Sequence, residues 1–123
     1  MKKIFLFLMF LSVANAKEIP VDQNTENILK NHPTPIILIF SEKWCIECKL
    51  AKPFINQLKQ QKDFDIVILE GTPRSLQIKF NLKGFPSFFL VKNGKIYDSI
   101  VGYGNSDIFN VNNFKKWTLQ KGK

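Results

Sequence analysis

The sequence predicts an α/β fold: a central mixed sheet of about four strands with helices on both faces. Three observations carry this. Residues 36–40 (Ile-Ile-Leu-Ile-Phe) form an unbroken apolar run, which suits a strand buried on both sides. Helical stretches separate the first three strand candidates, while Asn93-Gly94 joins the last two as a tight hairpin. The 123 residues are 45% hydrophobic and 23% charged, enough for one domain and unlike a disordered or multi-span chain.

The elements follow in order. Residues 1–16 open with Lys2 and Lys3, continue as an apolar run and end in Ala14-Asn15-Ala16. A basic start, a short apolar stretch and a small-x-small end make a secretory signal, and cleavage is expected after Ala16. The run is about ten residues long, half of the roughly 20 that a membrane span needs. Residues 17–123 are then the folded domain. Residues 17–24 read as an extended lead-in, and residues 25–31 as a short helix ended before Pro33. His32, the sole histidine, reads as a solvated loop residue.

After the strand at 36–40, a helix is expected from Ile46 to about Gln61. Leu50, Phe54, Ile55 and Leu58 form its apolar stripe, Lys52, Lys59 and Lys62 lie outside it, and Pro53 lies within. Residues 64–69 make a second strand. Thr72 is the expected cap of a short helix, with Pro73 at its first position and Leu76, Ile78 and Phe80 as its apolar residues. Gly84 breaks the chain. Strands at 87–91 and 95–101 flank the hairpin, and Gly102 and Gly104 end the second. Ser106 is the expected cap of a last helix, with Asp107 in its first turn and Ile108, Val111 and Phe114 on its apolar face.

Charge excludes some functions. The chain carries 18 Lys+Arg and 10 Asp+Glu, for a net charge of +8. Without Lys2 and Lys3 the balance is 16 to 10. The remaining lysines are scattered and Arg74 is the single arginine, whereas a nucleic-acid surface needs a clustered basic stripe. The excess serves solubility.

The chemistry concentrates in Trp44-Cys45-Ile46-Glu47-Cys48-Lys49, which holds both cysteines. This segment follows a buried strand and opens a helix. Cys45 therefore sits where unpaired N–H groups and the helix dipole favour a thiolate, the reactive form of cysteine. Cys48 lies one turn later, within reach of the Cys45 sulfur. Such a pair exchanges with disulfides: Cys45 attacks and Cys48 resolves the mixed disulfide, while the reverse sequence oxidises a dithiol, as in a thiol oxidase or isomerase of secreted proteins. Three other readings compete. A structural disulfide with so short a loop constrains the unfolded chain little. A copper(I) or zinc site lacks a third and fourth ligand. A binding module would leave the cysteines incidental.

Trp44-Cys45-x-x-Cys48-Lys49, with Pro53 five residues beyond, resembles thioredoxin. So does the stretch from Gly84-Phe85-Pro86-Ser87 through the hairpin to Lys95, with Gly102 after it. The resemblance covers roughly residues 35–117 and implies a thioredoxin-like three-layer sandwich. It further implies a cis Pro86 packed against Cys45 and Cys48. Phe85 would offer its backbone to an extended substrate, and Trp44 would border the site. The substrates implied are disulfide-containing proteins, with no cofactor. Two departures stand out. Ile39 occupies the place, six positions before the first cysteine, where thioredoxin has a buried acid, so Glu47, Glu42 or water would have to move the proton. Ile46-Glu47 replaces the family's Gly-Pro between the cysteines. With the export segment, this resembles periplasmic reductases supplied with electrons by a membrane carrier, and the compact motif set points to a monomer. Glu47 opposes the helix dipole at Cys45, with Lys43 and Lys49 offsetting part of its charge, which predicts a moderately reducing pair.

Overall fold

The computed structural model describes residues 30–121. The expected secretory segment, the expected lead-in and most of the first expected helix lie outside the described residues; of that helix, Lys30 and Asn31 are helical. The element order is β1 (Ile36–Ser41), α1 (Ile46–Leu58), β2 (Asp65–Glu70), α2 (Arg74–Lys79), β3 (Ser87–Lys92), β4 (Lys95–Val101) and α3 (Val111–Lys121). The four strands form one mixed sheet in the order β2-β1-β3-β4, the α/β sandwich the sequence predicts.

The apolar runs explain this order. β1 and β3 are the inner strands, and Ile36 to Phe40 are at most 1% exposed. β1 runs parallel to β2, with Ile36 opposite Asp65 and Ser41 opposite Glu70. It runs antiparallel to β3, with Ile37 opposite Leu90 and Ile39 opposite Phe88. Asn93 and Gly94 both take positive φ, 53° and 80°, as a two-residue hairpin turn requires. β4 is the edge and is largely exposed, with a register shift at Leu90/Val91.

Alternation along the strands divides the core in two. Ile37, Ile39, Ile66, Phe88 and Leu90 face α1 and α3. Leu38, Phe40, Val67, Leu69 and Phe89 face the other way, toward Leu76 and Phe80. Phe88 and Phe89 are therefore both core residues, on opposite faces. Phe54 of α1 is the hub of the first layer. Its ring centroid lies 5.1 Å from Phe114, 6.3 Å from Phe88 and 5.9 Å from both Tyr103 and Phe109. The Trp117 Nε1–H donates to Asp98 at 2.7 Å and ties α3 to β4.

Several expectations are corrected. α1 ends at Leu58, and its stripe uses Cys48 and Ala51 where Leu50 was expected; Leu50 is 61% exposed. Thr72 does not cap α2. Its hydroxyl turns back to the Leu69 carbonyl, and Pro73 holds the cap position. Ile78 is exposed, because α2 is too short to bury more than one side. The last helix starts at Val111, not after Ser106. Asn110 caps it, its Oδ1 accepting from the N–H groups of Asn112 and Asn113 at 2.9 and 3.3 Å. Residues 106–109 instead close a turn that carries Ile108 and Phe109 onto the core. His32 is not solvated either. It pairs with Asp65, which also accepts from the Thr34 hydroxyl, so the chain entering β1 is pinned to the start of β2.

Replacing Phe54 with Ala removes the side chain shared by four aromatic neighbours and should cost about 3–5 kcal/mol. Urea denaturation would show it as a lower midpoint at unchanged slope. Phe54→Leu should cost less than half as much.

Candidate active site

The site begins where β1 ends. The chain turns through residues 42–45, with the Cys45 N–H donating to the Glu42 carbonyl at 3.2 Å. Cys45 keeps extended backbone angles (φ −86°, ψ 115°) and is the N-cap of α1. Its Sγ accepts the Cys48 N–H at 3.1 Å, in the role a Ser or Asp oxygen fills at other helix starts. Cys45 and Cys48 form a disulfide, with Cα atoms 5.2 Å apart. The sulfur of Cys45 is thus aimed into the N–H groups of the first turn, where the helix dipole favours negative charge.

Two distant segments close around it. The loop before β3 brings the Phe85 carbonyl to 3.5 Å from Cys45 Sγ. The Phe85–Pro86 peptide bond is cis. The Ser87 hydroxyl donates to the Gly84 carbonyl at 2.6 Å and braces this loop from within. The chain leaving β4 supplies the third side. The Gly102 N–H donates to the Pro86 carbonyl at 2.7 Å, and the Tyr103 N–H donates to Glu47 Oε1 at 3.1 Å. Gly102 has φ +90°, a conformation that favours glycine.

All of the site residues expected from sequence meet here. Trp44 and Phe85 stack edge to face with centroids 5.7 Å apart, and Trp44 is 72% exposed. The cysteines are almost buried, at 6% and 4%, and Cys45 lies beside the rim that Trp44 and Phe85 form. Glu47 lies in the first turn of α1, with its carboxylate held by the Tyr103 backbone. Glu42 is also engaged, its Oε2 accepting the Thr72 N–H at 2.9 Å. Ile39 is fully buried.

Sequence reasoning missed the Tyr103 contact, which joins positions 56 residues apart and leaves no local signal. It also missed Ser41, Lys52 and Glu70, which line an open cleft beside Cys48. Their signal was present in the strand alternation, which carries Ser41 and Glu70 onto the face that α1 covers.

Comparison with known proteins agrees with this geometry. The family model described as thioredoxin matches residues 17–113. The chain is 31% identical over 80 residues to thioredoxin Y2 of Arabidopsis thaliana, a chloroplast protein, covering 63% of this chain and 48% of that one. It is 26% identical over 84 residues to the thioredoxin of Haemophilus influenzae, covering 66% and 78%. The chain thus spans about half the length of the chloroplast relative it matches. Among solved structures, a thioredoxin of Nicotiana alata superposes with a TM-score of 0.66 at 26% identity, over 80% of this chain and 83% of that one. A Schistosoma mansoni thioredoxin shares the fold, with a TM-score of 0.67 at 21% identity over 88% and 96%.

The capping role of Cys45 is testable apart from redox chemistry. Against the fully reduced protein, Cys45→Ala should lose about 1 kcal/mol, because the Cys48 N–H loses its acceptor. Cys45→Ser should lose less than half of that. Urea midpoints measured under strong reductant would compare the three.

Proposed function

The chain belongs to the thioredoxin family, and from that premise we propose that it is an exported thiol–disulfide oxidoreductase that reduces protein disulfides. The observation that carries the reading is Cys45: a helix-capping sulfur, disulfide-bonded to Cys48 and bordered by the Phe85 carbonyl and an exposed Trp44.

The chemistry follows from that placement. In the dithiol form the Cys45 thiolate attacks one sulfur of a substrate disulfide, and the other substrate sulfur leaves and takes up a proton. Cys48 then attacks Cys45 Sγ, the bond from Cys45 to the substrate breaks, and the second substrate thiol is released. Two electrons pass to the substrate, and the chain is left as the Cys45–Cys48 disulfide. An extended substrate segment lies against Phe85, whose backbone offers strand-like hydrogen bonds. Trp44 and Phe85 form the apolar rim. Ile46 and Leu50, 70% and 61% exposed and one turn apart on α1, extend it. Such a rim suits unfolded polypeptide around a cystine.

Export is supported by the basic start, the apolar run and the Ala14-Asn15-Ala16 end, which direct the chain to the periplasm with cleavage after Ala16. In that oxidising compartment a reductase needs a supply of electrons, so its donor is a membrane electron-transfer protein. Glu47 sets the direction. Its negative charge in the first turn opposes the thiolate, destabilises the reduced form and makes the pair a better reductant.

Cys45→Ser should abolish reduction of insulin disulfides, and Cys48→Ser should accumulate mixed disulfides on Cys45. Mass spectrometry of partners trapped by Cys48→Ser in a periplasmic fraction would name substrate and donor; trapping no protein would sink the reading. Equilibration with glutathione should place the potential toward the reducing end, about −270 mV, and a value near −120 mV would contradict a reductase. Glu47→Gln should move the potential upward, and no movement would remove Glu47 from the account.

A further inference from the structure

Cys48 must lose a proton before it can attack the bond between Cys45 and the substrate, since the thiolate is the nucleophile. The surroundings of Cys48 show where that proton can go. On the α1-facing side of the sheet, β1 presents Ile37, Ile39 and Ser41, and β2 presents Ile66, Ile68 and Glu70. Ser41 and Glu70 are register partners at the ends of the two parallel strands and are the first polar residues on those rows. Above them α1 places Cys48 and Lys52, one turn apart. These four side chains line an open cleft of about 350 Å³. A second hollow of about 150 Å³ shares all four. Water fills about 30 Å³ per molecule, so the cleft has room for a hydrogen-bonded chain from Cys48 to its far wall.

The other charged groups facing this cleft are Glu42, Lys43 and Lys49, with Lys59 at the second hollow. Glu42 is committed to the Thr72 N–H. Glu47, on the opposite side of the helix start, is committed to Tyr103. Glu70 alone among these carboxylates has no hydrogen-bond or ion-pair partner among the described residues. We propose that Glu70 is the proton acceptor for Cys48, acting through water in this cleft. The inference rests on reading Cys45 and Cys48 as a redox pair.

In the step, the Cys48 thiol passes its proton through water to the Glu70 carboxylate. The Cys48 sulfur bonds to Cys45 Sγ, the bond from Cys45 to the substrate breaks, and the substrate sulfur leaves with the electron pair. The proton on Glu70 then returns through the cleft to the departing thiolate or to solvent. Lys52 offsets the negative charge that Glu70 places near the forming thiolate. Charge alone and proton transfer make opposite predictions for Glu70. Removing a negative charge eases ionisation of Cys48 and speeds its attack, whereas removing a base slows it.

The test uses the reduced protein and one equivalent of bis(carboxynitrophenyl) disulfide, whose released thiolate is coloured. The first release reports attack by Cys45 and the second reports attack by Cys48. In Glu70→Gln the first should be unchanged. The second should slow about tenfold near pH 6, less than a directly bonded general base contributes because water intervenes. The difference should shrink as the pH rises, because hydroxide then takes the thiol proton without a carboxylate. Glu70→Asp should keep most of the rate at low pH. A second release that is unchanged or faster in Glu70→Gln, or slower by the same factor at every pH, would overturn the proposal. Absence of both releases from the unsubstituted protein would overturn the redox reading, and this one with it.

Discussion

The hydrogen bond from the Cys48 N–H to Cys45 Sγ, 3.1 Å long, is the contact on which the site depends. It makes the reactive sulfur part of the helix rather than an appendage to it. A helix start has N–H groups with no partner of their own, and a sulfur placed among them satisfies one and gains the field of the rest. The placement is possible because β1 is immobilised. Five consecutive residues buried on both faces leave the strand no freedom to slide, so the turn at 42–45 delivers Cys45 to a fixed point.

Around that point the molecule supplies backbone rather than side chains. The Phe85 carbonyl faces the sulfur, the Pro86 carbonyl accepts from Gly102, and the Tyr103 N–H holds Glu47. Backbone groups place no demand on the sequence of an approaching segment, because every polypeptide carries matching donors and acceptors. The side chains at the rim, Trp44 and Phe85, add apolar contact without demanding a particular sequence. Enclosure and exposure are thus divided: the sulfurs are nearly covered while the surface leading to them is open.

Much of this was legible along the chain. The strands were found because continuous apolar runs in a short segment have few other uses, and the hairpin because Asn-Gly accepts positive φ. The helix starts were less legible. Ser106 and Thr72 are good capping residues, yet Asn110 and Pro73 hold those positions. Capping preference is worth about 1 kcal/mol. Seating Ile108 and Phe109 on the core outweighs it, since burying an apolar side chain contributes about 1.5–3 kcal/mol. Leu50 was misassigned for a related reason. Helical spacing locates an apolar stripe but not its edges, and the stripe turned toward Ala51 because the sheet lies on that side.

By itself the sequence determined the order of the described elements and the placing of Cys45 and Cys48 at a helix start, and its resemblance to thioredoxin grouped Trp44, Phe85 and Pro86 with them. Each of these depends on neighbours a few residues away or on motifs whose spacing is their meaning. Only the tertiary structure decided what the free carboxylates do. Glu42 and Glu47 were equal candidates to serve the thiols, and both proved to be bound to backbone N–H groups from elsewhere in the chain. Glu70 came to face Cys48 through the parallel register of β2 on β1. Such assignments arise when segments distant in sequence share a wall, and no local pattern encodes which wall that will be.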